Sequence, residues 1–68
     1  MFFEFITKRN EKVTINVNSI LFITSHKTGT FIVDVEANEY ESNESYESFV
    51  KRLNNCVNQN YDKTYKNE

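Results

Sequence analysis

The sequence predicts an α+β domain, a small antiparallel sheet of four to five strands with one C-terminal helix packed on one face. Apolar residues in segment 45–57 recur at helical spacing. Short segments before it alternate apolar and polar residues, which is typical of β-strands. Every connection between these segments is short, and a parallel crossover needs roughly a dozen residues or more. The strands are therefore predicted to pair antiparallel.

The chain length limits how such a fold is stabilised. With 68 residues there is room for one domain. A domain of this size buries only about 60% of its unfolded surface, and small domains commonly gain support from disulfides, metals or oligomerisation. One cysteine, Cys56, excludes an internal disulfide, and no cluster of ligands predicts a structural metal. Self-association or close packing is the predicted support.

The N-terminal segment 2–7 (FFEFIT) predicts a strand with apolar side chains on both faces. Phe3 and Phe5 share one face, which is predicted to pack on the helix. The other face consists of Phe2, Glu4 and Ile6. Two interpretations of this second face remain open: a neighbouring loop partly covers it, or it contacts another copy of the chain. These three residues are the candidate self-association surface.

Three further strands and a short fifth follow a polar hairpin turn at 8–12. The predicted ranges are 13–17, 20–25, 30–36 and 39–41. Gly29, the only glycine, marks a turn that requires positive φ. In segment 30–36, alternation predicts two opposite sets. The inward set is Phe31, Val33 and Val35. The outward set is Ile32, Asp34 and Glu36.

The predicted helix at 45–57 places its apolar residues on one stripe, and Ser45 is a suitable N-cap. The stripe comprises Tyr46, Phe49, Val50, Leu53, Cys56 and Val57. Its predicted partners in the core are Phe3 or Phe2, Phe5, Val13, Ile15, Val17, Ile20, Phe22, Phe31, Val33 and Val35. Residues 58–68 lack apolar periodicity, which predicts a single domain at 1–57 followed by a polar, disordered tail. The alternative is an extra helical turn or two on a partner, because Tyr61 and Tyr65 lie at i, i+4 spacing.

Two local patterns resemble known bacterial families. Val17-Asn18-Ser19-Ile20, an Ile-x-x-Ile step over 20–23, and a helix that opens Glu44-Ser45-Tyr46 are similar to the small FlbD-like flagellar-associated proteins. The strand Ile20 to Ser25 and the helix start Ser45 to Phe49 also resemble the first half of the LytTR DNA-binding domain of response regulators. The second resemblance implies DNA binding.

The charge distribution predicts partners of two kinds. Ten acidic residues outnumber eight basic ones, which argues against a protein that binds mainly through nucleic-acid phosphates. Six carboxylates lie in a stretch without Lys or Arg and form a candidate surface for a basic partner protein. They are Asp34, Glu36, Glu39, Glu41, Glu44 and Glu47. The alternative is ordinary solvated charge, with Glu44 and Glu47 favoured by the helix dipole. The alternative nucleic-acid contacts are Lys8, Arg9, Lys12, Lys51 and Arg52.

No catalytic constellation accompanies these charges. His26 is the only histidine and lies in a polar turn, and Cys56 lies on the apolar stripe of the helix, where a thiol packs as a small hydrophobe. No enzyme and no cofactor are predicted. No apolar run approaches the roughly 20 residues of a membrane span, which predicts a cytoplasmic protein without membrane contact.

These observations together predict a small interaction or regulatory module that binds another protein and self-associates. An Asn-rich composition without proline suits a phage or mobile-element accessory protein. The alternative function is a DNA-binding fragment that resembles a LytTR domain.

Overall fold

A computed structural model describes the backbone of residues 1–66 and the side chains of residues 1–58. The chain folds into strands followed by one helix, so the predicted α+β class is confirmed. The elements are β1 (Phe2–Ile6), β2 (Lys12–Asn16), a 3-10 turn (Val17–Ser19), β3 (Ile20–His26), β4 (Gly29–Asp34), β5 (Glu39–Ser42) and α1 (Tyr46–Lys66).

The strands form two antiparallel sheets, so the prediction of a single sheet is wrong. β1 pairs with β2, and a separate sheet has the order β3-β4-β5. The 3-10 turn explains the division. Asn16 Oδ1 accepts a hydrogen bond from Asn18 N at 2.9 Å, and Ser19 Oγ donates to Asn16 O at 2.7 Å. These bonds end β2 and redirect the chain, so that β3 does not continue the first hairpin.

The core lies between the two sheets and the helix. Its buried apolar side chains are Phe3, Phe5, Ile15, Ile32 and Phe49. Phe49 is completely buried, and its ring meets those of Phe3 and Phe5 edge-on at 5.3 and 5.4 Å between centroids. Aromatic pairs prefer this geometry because ring edges are positive and ring faces negative. The predicted packing of the helix on Phe3 and Phe5 is confirmed.

The second sheet presents a different face to the core from the one predicted. Ile32 is completely buried, whereas Val35 is 59% exposed and Phe22 is 45% exposed. Phe31 and Val33 alternate with Ile32 and therefore lie on the opposite face of the sheet. Val33 is nevertheless buried, at 8% exposure, so its predicted burial is confirmed. Because residues 31, 32 and 33 are all apolar, the pattern does not indicate which face of the strand packs on the core. Across the sheet, Ile32 has Ile23 and Tyr40 as neighbours, and all three pack in the core.

A β-bulge contributes to the exposure of Phe22. The register of β3 against β4 shifts between Ile20 and Phe22, which leaves Leu21 without a cross-strand partner. The extra residue allows Ile20 and Ile23, three positions apart, both to pack on the core. Phe22 is thereby turned to the outer face.

The helix begins as predicted but ends later. Ser45 Oγ accepts a hydrogen bond from Ser48 N at 3.2 Å, which confirms the predicted N-cap. The predicted helix end at Val57 is wrong, because α1 continues to Lys66. Segment 58–66 holds no proline or glycine that would stop a helix. The side chains of the predicted tail from residue 59 onward, and residues 67–68, lie outside the described part of the chain.

Gly29 occupies a position that no other residue fits. Its φ is +149°, and a Cβ atom there would lie 1.9 Å from the carbonyl oxygen of Ser42. The predicted turn glycine is therefore confirmed, and the close approach of β4 to the segment after β5 depends on it.

Candidate interaction surfaces

The outer edge of β1 is covered by the helix. Arg52 Nη1 donates a hydrogen bond to the carbonyl oxygen of Glu4 at 3.1 Å, and the Cys56 thiol donates to that of Phe2 at 3.6 Å. Cys56 is half-buried and packs against the core, as predicted. Two carbonyl groups on the side of β1 away from β2 therefore have partners, and this edge is closed to another strand.

Glu44 and Arg52, predicted for two different surfaces, bind each other. Arg52 Nε donates to Glu44 Oε2 at 2.9 Å and Arg52 Nη2 donates to Glu44 Oε1 at 2.8 Å. Ser48 Oγ adds a hydrogen bond of 2.7 Å to Oε2. Arg52 first, and Ser48 after it, hold the pKa of Glu44 below its ordinary value. Because the guanidinium also lies 4.6 Å from the centre of the Phe3 ring, this pair fastens α1 to β1.

Asp34, predicted to face solvent as part of an acidic surface, is buried and closes the loop between β4 and β5. Its carboxylate accepts hydrogen bonds at 2.9 Å from Glu36 N, Asn38 N and Asn38 Nδ2. The hydroxyl of Tyr40 donates a longer bond of 3.4 Å. The hydrogen bonds, led by that from the Asn38 side chain, lower the pKa of Asp34 although burial opposes them. The assignment of Asp34 to a partner surface is therefore wrong, because its acceptor sites are used inside the fold.

The four remaining carboxylates are on the surface. Glu36, Glu39, Glu41 and Glu47 are exposed, and Glu41 pairs with Lys8 at 3.2 Å. They lie on the β4–β5 loop, on β5 and in the first turn of α1. The assignment of these four to a partner surface stays a prediction.

Most of the candidate basic contacts are in ion pairs. Lys8 binds Glu41 and also donates to the hydroxyl of Thr28, and Lys12 lies 3.9 Å from Glu4. With Arg52 committed to Glu44, three of the five candidate contacts are in ion pairs. Arg9 and Lys51 have no ion pair within the described residues, and they lie on separate elements.

The outer face of β1 keeps its apolar side chains in solvent. Phe2 is 66% and Ile6 is 45% exposed. Glu4, between them, pairs with Lys12 of β2. The candidate self-association surface is therefore accessible, and its contact with another copy of the chain stays a prediction.

A second exposed apolar region surrounds the 3-10 turn. Val17 N donates to the carbonyl of Met1 at 2.9 Å, and Val35 N donates to that of Ser19 at 2.8 Å. These bonds bring the chain start and the end of β4 to opposite ends of one three-residue turn. We call this region, with the start of β3, the apolar end. Its exposed residues are Met1, Phe2, Leu21, Phe22 and Val35.

Sequence reasoning missed Leu21, Phe22 and Val35 as surface residues. It assigned Phe22 to the core as part of an apolar strand, and Val35 because it alternates with Phe31 and Val33. One signal was present in the sequence: residues 13–25 contain no charged side chain, in a chain that is 26% charged. Such a stretch is typical either of a buried strand or of a surface that another protein covers.

The remaining polar side chains include His26 and those that line a groove beside β1. The described residues hold no group of three or more His, Cys, Asp and Glu side chains placed to bind a metal ion. His26 is exposed, with Nδ1 3.5 Å from the Thr28 hydroxyl. A groove of about 600 Å³ between β1 and the β5–α1 loop is lined by charged groups that are already paired, among them Lys8, Glu44 and Arg52. Among the described residues, no helix combines the length and apolarity needed to span a membrane.

Comparison of the chain with protein-family models, with curated protein sequences and with solved structures found no match. The resemblances to FlbD-like proteins and to LytTR domains therefore stay predictions.

Proposed function

We propose that this chain is a small non-catalytic interaction or regulatory module that binds another protein and self-associates. The observation that carries the proposal is the apolar end, where several large hydrophobic side chains are exposed around one turn. Leu21 is 60% exposed and Val35 is 59% exposed. Exposed apolar side chains that gather in one region mark a protein contact more often than side chains scattered singly.

The pairing of charges supports the same function. Asp34 and Glu44 serve the fold, and Glu41 is neutralised by Lys8. Few carboxylates therefore remain for an interface that depends on an acidic cluster. Binding through apolar side chains requires no such cluster, because the hydrophobic effect scales with the buried apolar area.

The DNA-binding alternative draws less support from these contacts. Nucleic-acid affinity rests on basic side chains that neutralise phosphates. Here Lys8, Lys12 and Arg52 already bind carboxylates. A DNA-binding fragment of the LytTR kind would have to break these pairs or rely on Arg9 and Lys51.

The test is light-scattering chromatography of the purified chain over a range of concentrations, beside titration with duplex DNA at low and physiological salt. We expect a mass above that of the monomer, rising with concentration, and no salt-sensitive DNA binding. A Phe2→Ser/Ile6→Ser variant measures how much of the self-association depends on the outer face of β1. A monomer at every concentration that binds DNA with a steep loss of affinity in salt would overturn the proposal in favour of the alternative.

A further inference from the structure

The outer edge of β3 is the open edge of the larger sheet. In the order β3-β4-β5, β4 covers one side of β3. Within residues 1–66, no strand pairs with its other side. An exposed edge presents unpaired N–H and C=O groups, and proteins usually protect it with charge, proline or a covering segment. The bulge at Leu21 interrupts the edge near its start, which leaves a regular ladder from Phe22 to His26.

This edge carries no acidic residue, Lys or Arg. The uncharged stretch 13–25 includes all of β3 except His26. The other edge of the sheet is β5, whose Glu39 and Glu41 would bring carboxylates together if two copies met there. The sheet order places those carboxylates two strands from the β3 edge, about 10 Å at the usual strand spacing. Of the two edges of this sheet, the β3 edge is the one that can meet its own copy without like-charge repulsion.

Resting on the proposed function, we propose that two copies associate through their β3 edges, pairing antiparallel to form a continuous six-stranded sheet. The lack of charge on the β3 edge favours a second copy of the chain as the binding partner. A basic or acidic partner would lose hydration of its charges against an uncharged surface that offers no opposite charge in return. A second copy offers an equally uncharged strand, and a twofold axis lets one surface serve both sides.

Part of the apolar end lies at this interface. Leu21 and Phe22 stand at the start of the ladder and are exposed, whereas Val35 follows β4, one strand away from the open edge. Antiparallel pairing places the start of one ladder beside the end of the other. Pairing centred on the Phe22–His26 ladder brings Thr24 next to the equivalent residue of the second copy. Backbone hydrogen bonds would align the two β3 strands, and the burial of Phe22 would contribute much of the affinity.

The test compares two identical substitutions. Thr24→Lys adds a positive charge to the exposed centre of β3, and Thr14→Lys adds the same charge to the exposed centre of β2, on the face that carries Phe2 and Ile6. Circular dichroism confirms that both variants fold. Light scattering over a concentration series then gives the dimer dissociation constant of each variant and of the unmodified chain.

We expect Thr24→Lys to weaken the dimer at least about tenfold, because two lysines would meet at the junction, and Thr14→Lys to leave it unchanged. Loss of the dimer only in Thr14→Lys would overturn the β3 interface but keep self-association through the outer face of β1. A dimer unaffected by both changes would also overturn it. A monomeric unmodified chain would overturn the inference and, with it, the self-association in the proposed function.

Hydrogen exchange on the unmodified chain provides a test without substitutions. If β3 pairs with a second copy, its amides exchange more slowly at high protein concentration, while those of β1 keep their rates. Concentration-independent exchange along β3 would contradict the proposal.

Discussion

β1 and β3 are both short, apolar-rich strands, yet their outer edges differ. The β1 edge is covered by α1, whose Arg52 and Cys56 donate hydrogen bonds to the carbonyls of Glu4 and Phe2. The β3 edge has no strand beside it within the described residues. Arg52 joins the helix to β1 through the Glu4 carbonyl and the Phe3 ring. Its bidentate pair with Glu44 of the β5–α1 loop holds the guanidinium in place. One helix can cover one edge, and here that edge belongs to β1.

The comparison shows that a helix can protect a strand without pairing with it. A guanidinium and a thiol satisfy carbonyl groups that another strand would otherwise bond. The uncovered strand instead relies on a bulge at Leu21 to shorten its open ladder. Substitutions in either region, or in the contacts that join them, test this difference.

The largest effect is expected at the residue that joins both regions, Phe49. It is fully buried between the rings of Phe3 and Phe5 on one side, and shares the core with Ile32 of the second sheet. Phe49→Ala should lower the free energy of unfolding by about 3–5 kcal/mol, because it removes a large apolar side chain and leaves a cavity. Urea unfolding measures the loss. Val50→Ala on the half-buried flank of the helix is the control, with a smaller expected loss.

Removing the cover of β1 should have the next largest effect. Arg52→Ala deletes the bidentate bonds to Glu44 and the bond to the Glu4 carbonyl, and we expect a loss of roughly 1–2 kcal/mol. Lys51→Ala, on the adjacent exposed position, should change stability by less than about 0.5 kcal/mol. Hydrogen exchange locates the effect: the amides of β1 should exchange faster, with little change in β4. Equal acceleration in both strands would show that Arg52 supports the whole domain and not the β1 edge.

The free energy of unfolding should depend on pH in the acid range, because the carboxylate of Asp34 closes the β4–β5 loop. Its pKa is lowered in the folded chain, chiefly by the Asn38 side chain, relative to about 4 in the unfolded chain. This stabilisation is therefore present above about pH 4 and is lost as the pH falls through the lowered folded pKa. Glu44, whose pKa Arg52 lowers, acts in the same direction and in the same range.

Asp34→Asn separates these two carboxylates. The amide oxygen can take the place of Oδ1, but the NH2 group then lies at the Oδ2 position and faces the donors Asn38 Nδ2 and Tyr40 OH, so the variant should melt at a lower temperature at neutral pH. Its stability should also fall less steeply in acid than that of the unmodified chain. Glu36→Gln, at an exposed position nearby, should leave both the melting temperature at neutral pH and the fall of stability in acid unchanged. An unchanged acid profile in Asp34→Asn would assign the pH dependence to Glu44.

The smallest effect is a gain in the loop that Asp34 closes. Ala37 has a φ of +68°, in the left-handed region that disfavours residues with a Cβ atom. Ala37→Gly should raise the free energy of unfolding by about 0.5 kcal/mol, because relief of this strain outweighs the greater chain entropy of glycine. Thermal unfolding measures the change. A lower melting temperature would show that the loop holds Ala37 without strain.

Much of the fold was predictable from local patterns. The helical spacing of Phe49 and Leu53, the cap at Ser45 and the turn at Gly29 are all confirmed. Each depends on interactions between residues close in sequence, which a pattern records directly. The division into two sheets was not predictable in this way, because strand pairing depends on where the 3-10 turn at 17–19 directs the chain.

The candidate surfaces were less predictable than the fold. Alternation cannot choose between the faces of an apolar run such as Phe31, Ile32 and Val33, and the choice depends on the shape of the space beside Phe49. Charges present a similar problem. Glu44 and Arg52 are eight positions apart, and only the packed helix shows that they bind each other.

Local patterns in the chain are enough to predict the class of fold, the order of strands and helix, the helix start and the uncharged stretch over residues 13–25. These follow from periodicity, capping and composition, which act over short distances along the chain. Packing in three dimensions sets which apolar side chains are buried, which charges form ion pairs and which strand edge is left open. Those outcomes depend on competition among distant segments for one small core, and a single core of this size cannot cover both faces and all edges of two sheets.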